Sequence, residues 1–257
     1  MTRYTFIGGL HRSGTSVLAR LLADHPDIAA ITGSPAPEDE GCYLQGAVPH
    51  TALHGRPMHF ATDPDQHLVE GCAFDTLDVQ RRIESDWTPW FAPADRPWRV
   101  EKSPVNLTRM RLYQQLFPLA QFVVILRHPE AVAAAVTKWV EGEPAALVDH
   151  WIAAHRQLLG DLAYLHAVCV IRYEDLCRDP ASTIRGLHAF MSLPAQPGAT
   201  AEVVRNGNAD YPDMTGLTTD LDDWGYGPNG TVRPWSPIIR HPLRAVRDAV
   251  QAAFAGA

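Results

Sequence analysis

The sequence predicts an α/β fold, a central parallel sheet flanked by helices. Three observations carry this reading. Apolar runs of strand length alternate with amphipathic runs of helix length along most of the chain. The clearest apolar run, in "QFVVILRHP", sets five apolar residues together, as a fully buried strand requires. Ser103-Pro104, His128-Pro129 and Asp179-Pro180 place proline at strand-to-helix joints, where the first helical position tolerates it best.

Taken in order, "YTFIGGL" reads as the first strand, and "SGTSVLARLLADH" as its helix, stopping before Pro26. "DIAAIT" is a short second strand, and "RVEKSP" a third that leads into a helix ending near Leu116. The strand in "QFVVILRHP" is followed by the helix "EAVAAAVTKWV" and a longer helical stretch, "EPAALVDHWIAAHRQLLGDLAYL". "AVCVIRYEDL" supplies another buried strand and "PASTIRGLHAFMSL" one more helix. Residues 33–75 and 195–240 hold no sustained period, and loops this long in a compact domain form lids or binding surfaces. Short joints after strands put their residues at the carboxyl edge of the sheet, where open α/β folds bind ligands.

The 257 residues, 46% of them hydrophobic, suffice for one sizeable core, so 1–257 is expected to be a single domain. A net charge of −7 argues against a general nucleic-acid partner. Cys42, Cys72, Cys169 and Cys177 show no CxxC pairing and are expected to be reduced. With no leader pattern and no apolar run of membrane-spanning length, the expectation is a soluble cytoplasmic protein without a transmembrane segment. Its oligomeric state is not readable.

Gly9-Leu-His-Arg-Ser-Gly14-Thr-Ser16 fits the phosphate-loop pattern G-x-x-x-x-G-[x]-[ST], with Thr15 where a nucleotide triphosphatase keeps its lysine. Amides opening a helix there favour an anion. The missing lysine, and Arg127 where a magnesium ligand would be wanted after "FVVIL", weaken a triphosphatase reading. Arg12 supplies the loop's positive charge instead.

"GLHRSGTSVLARLL", "EKSP…LFPLAQFVVILRHPEAVAAAVTKW" and "VIRYEDLCRDP", in that order over residues 4–193, resemble the sulfotransferases that use 3′-phosphoadenosine 5′-phosphosulfate. The resemblance implies a three-layer P-loop-type fold and metal-free, in-line sulfuryl transfer, with adenosine 3′,5′-bisphosphate as product. It implies that Arg12 contacts the sulfuryl group, that Ser13, Gly14, Thr15 and Ser16 cradle the 5′-phosphate, and that Lys102 reaches the sulfuryl oxygens. Arg127 matches the arginine that holds the 3′-phosphate, and Tyr173 a tyrosine near the adenine. His11, inside the loop, goes with the donor-binding residues.

The chain departs from that pattern in two places. Eight residues after the arginine the family has a serine on the 3′-phosphate, and here Ala135 stands; Lys138, three residues on, shares that helical face and is the candidate replacement. One branch keeps its base 21 residues past the loop cation, where this chain has Gly33. The base is therefore sought in "SPAPEDEGCYLQ". Glu40 is the first candidate, Glu38 the second and His11 a lesser one. In an extended segment Glu38 and Glu40 face one way and Asp39 the other, with Gly41 admitting a ligand. Ser103 is expected to cap the helix after it, and Glu174 and Asp175 to cap the turn after theirs.

His50, His54, His59 and His67 match no zinc spacing, and no metal is expected. With Tyr43, Phe60, Trp87 and Trp90 they are expected to line an acceptor pocket. Acceptor-binding or lid segments are expected at 33–98 and 195–240, with a small-molecule, glycan or lipid hydroxyl, less readily an amine, as acceptor. The rival readings are a Mg-dependent small-molecule kinase and a catalytically silent nucleotide-binding protein.

Overall fold

Alternation inside each strand divides the core in two. Phe6, Phe122, Val124, Leu126, Val168 and Val170 join one apolar cluster, while Ile7, Val123, Ile125, Cys169 and Ile171 join another. Successive side chains of a strand leave on opposite faces, so two clusters mean a sheet covered on both sides. The protein, described by a computed structural model over residues 2–49, 58–194, 196, 203–211 and 216–255, is built on that sheet.

Its order is β3 (Phe91–Ala92), β2 (Ile28–Ile31), β4 (Trp98–Lys102), β1 (Arg3–Gly8), β5 (Gln121–Leu126), β6 (Val168–Arg172), β9 (Ile238–Arg240). The five inner strands run parallel, and the short edge strands β3 and β9 pair antiparallel. A separate hairpin joins β7 (Tyr226–Gly227) to β8 (Thr231–Val232). All six residues of β5 are buried, as its apolar sequence predicts for a central strand.

One face carries α2 (Leu77–Trp87), α3 (Met110–Leu116), α4 (Pro129–Val136) and α5 (Pro144–Asp161). The other carries α1 (Thr15–Ala23), α6 (Tyr173–Arg178), α7 (Pro180–Phe190) and α8 (Arg244–Phe254). The three layers follow. On the first face Tyr4, Phe6, Trp87, Tyr113 and Phe117 pack ring on ring, with Phe6 and Tyr113 centroids 4.7 Å apart.

The three prolines each open a helical segment: Pro104 a 3-10 turn, Pro129 α4 and Pro180 α7. Asp179 caps α7 through Ser182 N. Ser103 does not cap its turn. Its hydroxyl donates to Glu101 Oε1 at 2.5 Å and accepts from Cys42 N at 3.0 Å, because a buried carboxylate is the stronger acceptor nearby. Helices α2 and α8 and strands β3 and β9 were not anticipated from the sequence. The four cysteines are free, Cys42 and Cys169 being buried.

Strand order fixes where a ligand can sit. From β1 the chain first builds toward β2 and β4, then crosses to β5 and β6 on the other side. The crevice between the loops leaving β1 and β5 is the switch point, the position where open parallel sheets take ligands. No helix among the described residues is long and apolar enough to cross a membrane.

Candidate active site

The loop leaving β1 meets the one leaving β5 through a single bond: Arg127 Nη1 donates to the carbonyl of Arg12 at 2.9 Å. The turn itself needs its glycines. A Cβ on Gly9 would stand 2.5 Å from the Ile125 carbonyl, and one on Gly14, at φ 102°, would stand 2.6 Å from the Tyr173 ring. Arg12 takes φ 68°, which turns the chain into α1. Ser13 is fully buried, its N–H bound to Leu10 O and its Oγ without a partner. Ser13 is enclosed within the turn and does not line the cavity, so the anion seat the turn offers is the place faced by the amides that open α1.

That place is a cavity of about 770 Å³. His11, Arg12, Gly14, Thr15 and Ser16 line one side with Val17, and Arg127 and Tyr173 line it from β5 and β6. Among the described residues, neither Arg12 nor Arg127 is ion-paired with a carboxylate. Arg127 lies over the Tyr173 ring at 4.7 Å and donates Nε to Asn208 Oδ1 at 2.8 Å, so its fork is oriented without being neutralised. Glu130 in α4 accepts from the backbone of Leu217 and Gly230 and leaves Arg127 unpaired with it. Arg12 lies 5.4 Å from the ring of Trp139, which is half exposed on the cavity wall.

Tyr173 donates its hydroxyl to Arg205 O at 2.7 Å and accepts from Gly207 N at 3.3 Å, which draws the 203–211 strap over the crevice. Glu174 corrects the capping expectation. Its buried carboxylate accepts from His128 N, Asn208 Nδ2 and the Tyr226 hydroxyl, joining three segments behind the cavity. Asp175 pairs with Arg172 and Arg178.

The opposite wall carries Pro37, Glu38, Glu40 and Tyr43. This stretch is not extended: Glu38 and Asp39 take φ 53° and 54° in a tight turn, so the facing argument from alternation fails. Asp39 is tied to Ser34 N and Oγ, and the Glu38 side chain is exposed. Glu40 is only 7% exposed, and burial pushes its carboxyl up to about 7 while the Lys102 ammonium, 3.3 Å away, pulls it down. Gly41 is buried against protein: an added Cβ would meet Glu101 Oε1 at 2.7 Å and Trp87 Nε1 at 2.9 Å.

Lys102 does not line the main cavity. Its ammonium, 6% exposed as a residue, donates to the Glu38 carbonyl at 2.8 Å and to Glu40. It reaches a second cavity of about 320 Å³ that shares Ser16 and Glu38 with the first. His11 Nδ1 accepts from Met58 N at 3.3 Å, which assigns the ring proton to Nε2. Burial and Lys102 lower His11 to about 4, so it is neutral near pH 7 with Nδ1 already used. It is a donor, and a poor base.

Several expectations fail. Lys138 cannot share a helical face with Ala135, because α4 ends at Val136; Lys138 is exposed and lines none of these cavities. Trp139 takes the wall position instead. Trp87 and Phe60 are core residues, and His67 pairs with Asp161 at 2.8 Å. His50 and His54 lie outside the described residues. The part played by Trp139, Asn208 and the Glu40–Lys102 pair went unread, since only the pair's two members, and not their contact, are visible in the chain.

The model of the sulfotransferase family matches residues 5–197. Nodulation protein NoeE of Sinorhizobium fredii is 29% identical over 140 residues, 51% of this chain; the match spans only 30% of that protein's length. Among solved structures, the sulfotransferase domain of the Synechococcus PCC 7002 olefin synthase superposes with a TM-score of 0.51 at 17% identity, over 98% of this chain and 94% of that one. A sulfotransferase from Alicyclobacillus acidocaldarius gives 0.48 at 18% identity, over 81% and 87%.

Proposed function

This chain belongs to the sulfotransferase family, and we propose that it transfers a sulfuryl group from 3′-phosphoadenosine 5′-phosphosulfate to a hydroxyl of a small-molecule, glycan or lipid acceptor. The residues present fit that donor. The buried Ser13 Oγ lacks a partner, the helix-start amides and two unneutralised arginines face one cavity, and the cavity has the volume for a nucleotide and more. When bound, the donor supplies the sulfuryl group and a phosphate leaving group.

The chain's own part then follows. Ser13, Gly14, Thr15 and Ser16 hold the 5′-phosphate with amides and hydroxyls, and Arg127 binds the 3′-phosphate with its fork. Tyr173 and Val17 shape the nucleoside end. Arg12 stabilises charge that grows on the bridging oxygen, a preorganised donor in a partly dry cleft. His11 adds a neutral Nε2–H beside it.

Glu40 accepts the acceptor's proton. Burial brings its carboxyl up to about 7, so it is about half ionised at neutral pH and basic enough to work, the range in which general bases are most effective. Lys102 favours its ionised form. Glu38 is the poorer base because its side chain is exposed and only its carbonyl faces Lys102.

The observation that carries the reading is the pair Arg12 and Arg127, joined by one hydrogen bond on a phosphate-loop cavity with a buried carboxylate opposite. Calorimetry with adenosine 3′,5′-bisphosphate and with ATP, each with and without Mg²⁺, tests it. Metal-independent binding of the bisphosphate is expected, followed by sulfuryl transfer to a hydroxyl acceptor panel. Mg²⁺-dependent ATP binding would instead favour a kinase, and bisphosphate binding with no transfer to any acceptor a silent binding protein.

A further inference from the structure

Beneath the Glu40–Lys102 pair lies a second carboxylate that the reaction outlined above does not use. Glu101, on β4, is 0% exposed, and its carboxylate is bonded both to the segment that follows Glu40 and to the turn that follows β4. Oε1 accepts from Gly41 N at 3.0 Å and from the Ser103 hydroxyl at 2.5 Å, and Oε2 accepts from Asn106 Nδ2 at 2.6 Å. Complete burial raises the Glu101 carboxyl, and three donors converging on its two oxygens oppose that and favour the carboxylate anion. Ser103 Oγ in turn accepts from Cys42 N at 3.0 Å, and Trp87 Nε1 donates to Gly41 O at 2.8 Å. The peptide units that follow Glu40 are thus held from both sides. The steric fit at Gly41 leaves no room for any other residue there.

Resting on the reading of Glu40 as base, we propose that Glu101 is a positioning residue: it clamps Gly41 directly and Cys42 through Ser103, and so fixes the Glu40 carboxylate inside the cavity wall against Lys102. A carboxylate on a loop with two tight-turn residues before it would otherwise swing outward to water, as the Glu38 side chain does. The groups that face Glu40 are Lys102 and Glu101 from β4, and Glu38, Cys42 and Tyr43 from its own loop. Of these Lys102 does most to favour the ionised form, and the Cys42 thiol, which donates weakly to Oε2, works the same way. Burial does most to raise Glu40, and Glu101 adds to it as a like charge. Releasing the clamp hydrates Glu40 and removes a neighbouring negative charge, which both lower the pH at which Glu40 titrates; a looser Lys102 contact opposes them, and the balance falls to lowering because burial is the largest influence on Glu40.

The test uses Glu101→Gln and Ser103→Ala in the full chain. Three readouts are taken: the Glu40 carboxyl midpoint by ¹³C NMR, assigned with Glu40→Gln; the melting temperature; and the pH dependence of kcat/KM with the phosphosulfate donor. Glu101→Gln is expected to lower the Glu40 midpoint and the acid limb together by about one pH unit or more. It should reduce kcat while leaving KM for the donor within about twofold. Ser103→Ala should move both the same way by less. A merely structural role would lower activity at all pH values and shift neither midpoint nor limb. A folded Glu101→Gln protein with the parental midpoint overturns the proposal. Should that variant fail to fold, Ser103→Ala decides, and an unmoved midpoint there overturns it. If the parent protein transfers no sulfuryl group at all, the proposed reaction falls, while the NMR midpoints still judge the clamp.

Discussion

Replacing Lys102 by Gln removes a cation 3.3 Å from Glu40 Oε1 while leaving a donor for the Glu38 carbonyl. At that separation and an effective permittivity of about 20, the attraction lost is on the order of 5 kcal/mol, an upper bound because the free pair also orders two side chains. A pKa shift costs ~1.4 kcal/mol per unit, so a third of that bound already moves Glu40 up by about one unit. The sign is definite. Burial alone raises a carboxylic acid, Lys102 opposes it, and the balance gives about 7. Removing the opposition places the midpoint higher. The base works ionised, so kcat/KM should fall about tenfold per pH unit below the midpoint, and the acid limb of Lys102→Gln should stand near pH 8 or above. The assay is kcat/KM between pH 5.5 and 9.5 with donor in excess, each variant checked for folding at both extremes. A limb that stays put, or moves down, would show that Lys102 does not hold Glu40 ionised, and the base assignment would lose its electrostatic support.

Four further outcomes follow from the site. Arg127→Met should weaken adenosine 3′,5′-bisphosphate by about 10–100-fold in calorimetry, the worth of one or two charge-assisted bonds, and adenosine 5′-monophosphate far less; equal losses for both ligands would remove Arg127 from the 3′-phosphate. Gly14→Ala meets the Tyr173 ring at 2.6 Å and a φ of 102°, so bisphosphate binding should be lost and the melting temperature lowered by a strain of about 1–3 kcal/mol; an unperturbed variant would contradict the turn. Lys138→Ala should keep parental donor affinity, because that side chain lies past the end of α4; a tenfold loss would restore the compensation once expected of it. Trp87→Ala, in the fully buried ring cluster and bonded to Gly41, should cost about 3–5 kcal/mol in denaturant unfolding.

Periodicity made most of the sheet legible. β1, β2, β4, β5 and β6 stand where apolar runs and proline joints put them, because strands buried on both faces leave little choice of residue. The glycine turn after β1 and the place of Arg127 after β5 were legible for a related reason: local spacing sets both the turn and the distance from a strand end. The facing acids were read by name but not by arrangement. Glu38 and Asp39 adopt positive φ without glycine, which no alternation pattern signals. Lys138 misled because "VTKWV" continues a helical composition past the point where the helix stops. Nothing in the sequence singles out Glu101. Its donors come from Gly41, 60 positions away, and from Ser103 and Asn106, and a contact of that range is invisible until the chain is folded. The short edge strands β3 and β9 owe their state to pairing, and carry no run long enough to be read.

The bond from Arg127 to the Arg12 carbonyl spans neighbouring strands whose register is fixed, Gly8 opposite Val124. The spacing of the two guanidinium stems is thereby a dimension of the sheet, and the crevice works as a rigid gauge for whatever bears an anionic group at each end. Redesigning this protein for a shorter or longer donor would thus mean reshaping the backbone between two strands, whereas exchanging wall side chains would retune only the molecule at the other side of the cleft.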